Sequence, residues 1–171
     1  IYRTAIGQDY NLSVSGAVIN GKMPFRLSGG FLNQDGILKT DNFKRISGAI
    51  NLSPRFFNES LKVDVNWKLA RTTNADADFG AVGSAVTFDP TQSITSGNNS
   101  RFGGYFEWLN NTGRPLENSN ANPLGLFLRD HNKELFRSIG NIQFDYSVPF
   151  IKGLRANLNL GHEYSNERGS F

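Results

Sequence analysis

Six stretches of the chain alternate apolar and polar residues with a period of two. In the two clearest, residues 61–69 and 154–164, charged and amide side chains stand between aliphatic ones. Because successive side chains of a β-strand point to opposite faces, each stretch has one apolar face and one strongly polar face. The pattern predicts an all-β protein built from antiparallel strands.

The lengths of the connections also follow a pattern. The predicted strands cover residues 9–19, 23–33, 43–52, 61–71, 136–148 and 154–166. The connections 20–22, 53–60 and 149–153 are compact, whereas 34–42 is longer and 72–135 is very long. Outer-membrane barrels place short turns on the periplasmic side and long loops outside the cell. The alternation therefore favours up-and-down strands of a transmembrane barrel.

Two classes of protein share this strand pattern. A soluble β-sandwich buries its apolar face under a second sheet, whereas a transmembrane barrel turns that face to lipid and its polar face to a wet lumen. The barrel interpretation places several aliphatic side chains on an outer wall with no layer across them. They are Leu12, Val14, Ile50, Val63, Val65, Leu158 and Leu160.

Composition narrows the function classes. The 171 residues include 18 Gly, 14 Phe and no Cys, and the formal net charge is +3. Gly and aromatic residues suit a β protein, while the mild, scattered positive charge gives no support for nucleic-acid binding. The absence of Cys excludes disulfides and zinc-thiolate sites. We expect a piece of a longer protein, because the chain starts at Ile1 without an initiator Met.

Candidate catalytic and metal-binding residues are few. His131 and His162 have no partner at metal-ligand spacing, and we expect His162 on the apolar face near a strand end. Asp76, Asp78 and Asp89 offer oxygen atoms, but the Gly and distal Glu of a calcium loop are missing. We therefore expect no enzyme and no cofactor.

Two groups of side chains are candidates for contacts. Tyr105, Phe106 and Trp108 form an aromatic group in the long loop, which either binds ligand, contacts a partner protein or forms a small core for the loop. The second group is polar and faces the lumen in the barrel interpretation, where it wets the lumen, bonds a plug or lines the transport path. Its members are Arg26, Arg45, Lys62, Asp64, Lys68, Arg155 and Asn157.

Short motifs follow one another in order along the chain. They are IYRTA at 1–5, NLSVSG at 11–16, NQDGILKT at 33–40, NLSP at 51–54, FDPTQ at 88–92, GGYF at 103–106, NPL at 122–124 and LRANLNLG at 154–161. Together they resemble the early barrel of SusC/RagA-type TonB-dependent outer-membrane transporters of Bacteroidetes. The resemblance extends over essentially the whole chain.

The resemblance implies a plugged barrel of about 22 strands that imports oligosaccharides. It implies a SusD-like surface lipoprotein over the extracellular mouth, TonB acting on parts outside this chain, and a surrounding lipid bilayer in the bacterial outer membrane. Residues 1–171 would then be six barrel strands with an extracellular loop at about 72–135, without the plug.

Three alternatives remain open at this point. The first is a soluble carbohydrate-binding β-sandwich that uses Tyr105, Phe106 and Trp108. The second is a peptide importer of the same family, and the third is an adhesive surface protein that a barrel merely anchors.

Overall fold

One antiparallel sheet forms most of the protein. The computed structural model describes residues 1–96, 102–129 and 131–170. The strands are β1 (Gly7–Val18), β2 (Met23–Asp35), β3 (Asn42–Leu52), β4 (Arg55–Phe56), β5 (Leu61–Ala75), β6 (Asn132–Ser147) and β7 (Arg155–Gly169). The long strands are neighbours in the order β1-β2-β3-β5-β6-β7, and β4 pairs with β5. The up-and-down antiparallel order predicted from the sequence is confirmed.

Strands β5 and β6 extend beyond the ends that alternation predicts. Their ladder continues from the pair Thr72 and Leu135 to the pair Ala75 and Asn132. Polar residues occupy both faces there, so backbone pairing continues where no hydrophobic period exists. The connection therefore runs over 76–131, of which residues 97–101 and 130 lie outside the described part of the chain.

The apolar face of the sheet is open. Leu12 is 74% exposed, and Val14, Leu158 and Leu160 are each more than half exposed. Among the described elements, each strand contacts its neighbours in the sheet, and no second sheet or helix packs across this face. The sandwich alternative requires such a second layer, so it does not fit the fold.

Val63 departs from the outer-wall prediction, because it is buried. Phe144 stands directly opposite Val63 in the register. On the other side of β5, the Val63 N–H donates to the Pro54 carbonyl at 3.0 Å, which holds the connection 53–60 against the strand. Val63 is therefore buried between neighbouring segments of the same sheet, and not under a second layer.

Trp67 covers a gap in the middle of the apolar face. A Cβ on Gly140 would come within 3.2 Å of the indole ring, so a side chain there would push the ring away by a few tenths of an ångström. The indole Nε1 donates to Ser138 Oγ at 3.1 Å, and the ring lies 5.6 Å from the His162 ring. The sequence analysis placed His162 near a strand end. In the structure His162 lies in the middle of β7. The indole also satisfies a hydroxyl that this face would otherwise leave unpaired.

The long connection folds as a unit with its own small core. Helix α1 (Gly80–Thr87) contacts a 3-10 helix at Gly125–Leu128, and Ala81 and Leu126 are buried. The sequence left residues 79–88 open between helix and extended chain, and the structure assigns the helix. No helix in the described part of the chain is long and apolar enough to cross a membrane.

Asn122 lies fully buried at the centre of this unit. Its Nδ2 donates to the Ile94 carbonyl at 2.8 Å, and its Oδ1 accepts from the Leu124 N–H at 3.0 Å. Its own backbone N–H donates to Glu107 Oε1 at 3.1 Å. Through its side chain and its backbone N–H, Asn122 therefore ties its own segment to those of Ile94 and Glu107.

We expect Asn122→Ala to loosen the loop while the sheet stays folded. The change leaves the Ile94 carbonyl and the Leu124 N–H without this partner, and each buried unsatisfied group costs about 1–3 kcal/mol. Hydrogen exchange on the full-length protein that carries this segment should show faster exchange in 88–129 and unchanged strands. Asn111→Ala, at an exposed turn of the same loop, is the matched control. Equal exchange in the two variants would contradict the role given to Asn122.

Candidate functional site

Two of the three predicted loop aromatics contact each other. The Phe106 ring lies 5.0 Å from Trp108 and 6.5 Å from Phe88, in edge-to-face arrangements that aromatic pairs prefer. Tyr105 forms a backbone bridge with Thr95 and, among the described rings, contacts neither Phe106 nor Trp108. The aromatic group is therefore a cluster of Phe88, Phe106 and Trp108, with Tyr105 apart from it.

Trp108 and Phe88 line a depression of about 360 Å³ in the loop. Its other walls carry amide, carboxylate and aliphatic side chains: Asp89, Leu116, Asn118 and Asn120. An aromatic surface beside fixed polar groups is the usual composition of a small-molecule site. The sequence does not reveal the amides as part of a site, because they are distant from Trp108 in the predicted loop and show no motif.

Asp89 is held in place at the edge of this depression. The Thr91 N–H donates to Asp89 Oδ1 at 2.9 Å, and the Thr91 hydroxyl donates to the same oxygen at 2.8 Å. These bonds, the backbone one first, lower the pKa of Asp89 below its ordinary value. The depression therefore keeps a charged acceptor throughout the neutral pH range.

The other two acidic residues considered for calcium point elsewhere. Asp76 lies 3.3 Å from Lys133 Nζ, and Asp78 lies 3.0 Å from Arg129 Nη1. Within residues 1–96, 102–129 and 131–170, no three acidic or His side chains gather in the way that a metal ion requires. The three Asp residues therefore do not form a common site.

All seven polar side chains predicted to face a lumen share one face of the sheet, as the strand register requires. They are Arg26, Arg45, Lys62, Asp64, Lys68, Arg155 and Asn157. We call this side the polar face. The structure divides the seven into a hydrogen-bonded group near the compact turns and a group of cations further along the strands.

In the group near the compact turns, Lys62, Asp64 and Asn157 have partners, whereas the Arg155 side chain has no hydrogen-bond or ion-pair partner among the described residues. Lys62 Nζ lies 2.7 Å from Asp64, and the Ser53 hydroxyl donates to Asp64 at 2.6 Å. Asn157 Nδ2 donates to Asp145 at 2.7 Å, with the charge of Arg155 nearby. Lys62, Asp64 and Asn157 therefore direct their charges and hydrogen bonds to other residues of the same region.

The remaining cations are not paired in this way. Among the described residues, the side chains of Arg26, Arg45 and Lys68 have no hydrogen-bond or ion-pair partner. They line a depression of about 540 Å³ on the polar face, whose floor consists of small residues: Ser28, Gly30, Ser47, Ala49 and Ala70.

A fourth cation, Arg137, lines the same depression and was missed in the sequence analysis. It pairs with Glu163 at 2.6 Å on the neighbouring strand. The signal was present, because Arg137 continues the every-second-residue series of Asn141, Gln143 and Asp145 back along β6. The apolar Ile139 interrupts this polar series within the predicted strand 136–148, so the series ends at Asn141 when it is followed back along the sequence.

Similarity to known proteins agrees with this geometry. No family model matches the chain. The chain is 35% identical over 178 aligned positions to the TonB-dependent receptor SusC of Bacteroides thetaiotaomicron, an alignment that covers 96% of the chain. Its fold is similar to the RagAB peptide importer in the "closed-closed" state, with a TM-score of 0.63, 22% identity and 97% of the chain covered.

The chain spans 18% of the length of each of these relatives. The motifs, the open up-and-down sheet and the two similarities agree along nearly the whole chain. Together they identify the chain as a SusC/RagA-like fragment of a TonB-dependent receptor barrel.

Proposed function

We propose that the protein carrying this segment is an outer-membrane, TonB-dependent importer of oligosaccharides. The segment supplies six neighbouring strands of the barrel wall and one large extracellular loop. The work of the protein is transport and not catalysis. TonB and the plug act through parts outside these 171 residues.

The observation that carries the proposal is the open apolar face. A sheet that leaves Leu12, Leu158 and Leu160 more than half exposed needs an apolar surrounding. Lipid supplies it in a barrel, where the polar face meets water inside. The similarity to a receptor named as TonB-dependent supports the same conclusion from independent information.

The connections support the orientation. The compact turns after β1, β4 and β6 lie at one end of the sheet, and the connection 76–131 lies at the other. We place the long connection outside the cell, where a SusD-like lipoprotein covers the mouth of the barrel. The depression at Trp108 then faces the solute or this lipoprotein.

A peptide importer is the second candidate. The observation that favours it is the fold similarity to the RagAB peptide importer. Oligosaccharide import comes first, because the Trp108 depression combines an aromatic ring with amides and a carboxylate.

The lipid-facing side is tested by a pair of adjacent substitutions on β7. Leu158→Arg places a charge on the apolar face, which costs about 2–4 kcal/mol near the middle of a bilayer. Asn159→Arg places the same charge on the polar face one residue further, where water solvates it. Urea unfolding of the full-length protein in lipid vesicles should show a large loss for the first variant alone. Equal losses would contradict the assignment of the faces.

The loop depression is tested by Trp108→Ala. Removing the indole should weaken oligosaccharide binding to the full-length protein by about tenfold, which corresponds to about 1.4 kcal/mol. Phe79→Ala removes another exposed aromatic ring of the same loop and is the control. Isothermal titration calorimetry with oligosaccharides and with peptides of similar size gives the comparison. Binding of peptides alone would favour the second candidate, and unchanged binding in Trp108→Ala would exclude the depression as a contact.

A further inference from the structure

The strand register spaces the cations of the large depression regularly. Each cation is level with a residue of β3 in the register: Arg26 is paired with Asn51, and Lys68 is paired with Ala49. Arg137 is paired with Ala70 on β5, which is in turn paired with Ser47. Arg45 lies on β3, two residues before Ser47. Consecutive levels are two residues apart, which is about 7 Å along a strand. Along the strand direction the four cations therefore span about 20 Å, and across the sheet they are spread over β2, β3, β5 and β6, a width of about 14 Å. We call Arg26, Lys68, Arg137 and Arg45 the cationic ladder.

The ladder keeps most of its charge. Arg137 alone has a carboxylate partner, Glu163, while the side chains of Arg26, Arg45 and Lys68 have no partner in the described ranges. Asp64 and Asp145, on the same face, already accept hydrogen bonds from Ser53 and Asn157. A concave surface lined by one sign of charge concentrates the field and attracts ions of the other sign.

The floor of the depression between the cations consists of residues with small side chains or none. A Cβ on Gly30 would come within 2.7 Å of Asn11 Oδ1 and 2.9 Å of Ser47 Oγ, so a side chain there would displace both polar groups. Ser28, Ala49 and Ala70 are also small. Space of about 540 Å³ remains above this floor, within the usual size range of ligand sites.

We propose that the cationic ladder binds a linear oligosaccharide with acidic groups on several of its units, aligned with the strands. Guanidinium groups bind carboxylate or sulfate oxygens through two parallel hydrogen bonds, and an ammonium binds them as a point charge. The spacing over about 20 Å suits several anions along a chain better than one. The inference rests on the proposed function and narrows its substrate class to acidic oligosaccharides.

An acidic peptide is the less favoured occupant. Peptides are commonly bound by adding a strand to a free sheet edge or by inserting side chains into apolar pockets. Strands β2, β3, β5 and β6 each have neighbours on both sides, so they offer no free edge. One large apolar side chain on the polar face, Ile139 opposite Lys68, lines the depression, and the floor on β2 and β3 consists of small residues.

The test compares two ligands that differ in charge and in the methyl groups that remove the charge. Calorimetry on the full-length protein measures a four-unit oligogalacturonate and its fully methyl-esterified, uncharged counterpart. We expect the acid to bind at least about tenfold more tightly, with the difference shrinking as salt rises from about 0.05 M to about 0.5 M. The double variant R45Q and K68Q should lose this preference and keep its affinity for the ester.

Two further variants control for folding. K44Q removes a cation from the opposite face of β3, one residue before Arg45, and should leave the preference intact. The double variant R45K and K68R keeps both charges and should retain the preference for the acid.

The failures are distinguishable. Equal binding of acid and ester in the unsubstituted protein, with import of both, overturns the ladder inference and leaves the proposed function standing. Absence of any oligosaccharide binding or uptake overturns both. Ladder-dependent binding of a four-residue glutamate peptide without binding of the acidic oligosaccharide also overturns the inference. The double variant R45Q and K68Q could also show a lower melting temperature with an unchanged preference for the acid. That result would assign the cationic ladder to contacts within the protein and overturn the inference.

Discussion

The structure depends on an apolar surface that the described protein does not cover. Side chains such as Leu12, Leu158 and Leu160 remain exposed on one side of the sheet, and no described element packs over them. In water such a surface is unfavourable by roughly 25 cal/mol for each Å² of apolar area. The sheet is therefore stable only where a nonaqueous environment replaces the missing layer. The proposal of a barrel wall in a membrane follows from this requirement.

Backbone hydrogen bonding imposes the second requirement. The interior strands β2, β3, β5 and β6 are paired on both sides, while β1 and β7 are the two edges of the sheet. Unpaired strand edges are not tolerated in hydrocarbon, because the free N–H and C=O groups have no water to bond. In the proposed barrel, further strands continue the sheet at both edges. The small share of each relative that the chain spans agrees with this, since most of the wall then lies elsewhere.

Within the wall, the two faces are organised differently. On the apolar face, a polar group is hydrogen-bonded to a neighbouring side chain: the Trp67 indole donates to the Ser138 hydroxyl. The polar face separates its charges into a paired group around Asp64 and Asp145 and the nearly unpaired cationic ladder. Above the strands, the loop has its own core around Asn122, which allows Trp108 to be presented without support from the sheet. Wall and loop thus carry two separate candidate contact surfaces.

The sequence by itself determined the strands, their order and their two faces, because a period of two is a local property of consecutive residues. It missed the ends of β5 and β6, where polar residues on both faces hide the pairing, and it missed β4, which is too short to show a period. Only the tertiary structure decided which residues from different strands become neighbours. It brought Phe88 to Phe106, separated Tyr105 from Trp108, and set Arg137 level with Ser47 across β5. Those relations depend on register and loop packing, which act between residues far apart in the chain and leave no periodic signal in it.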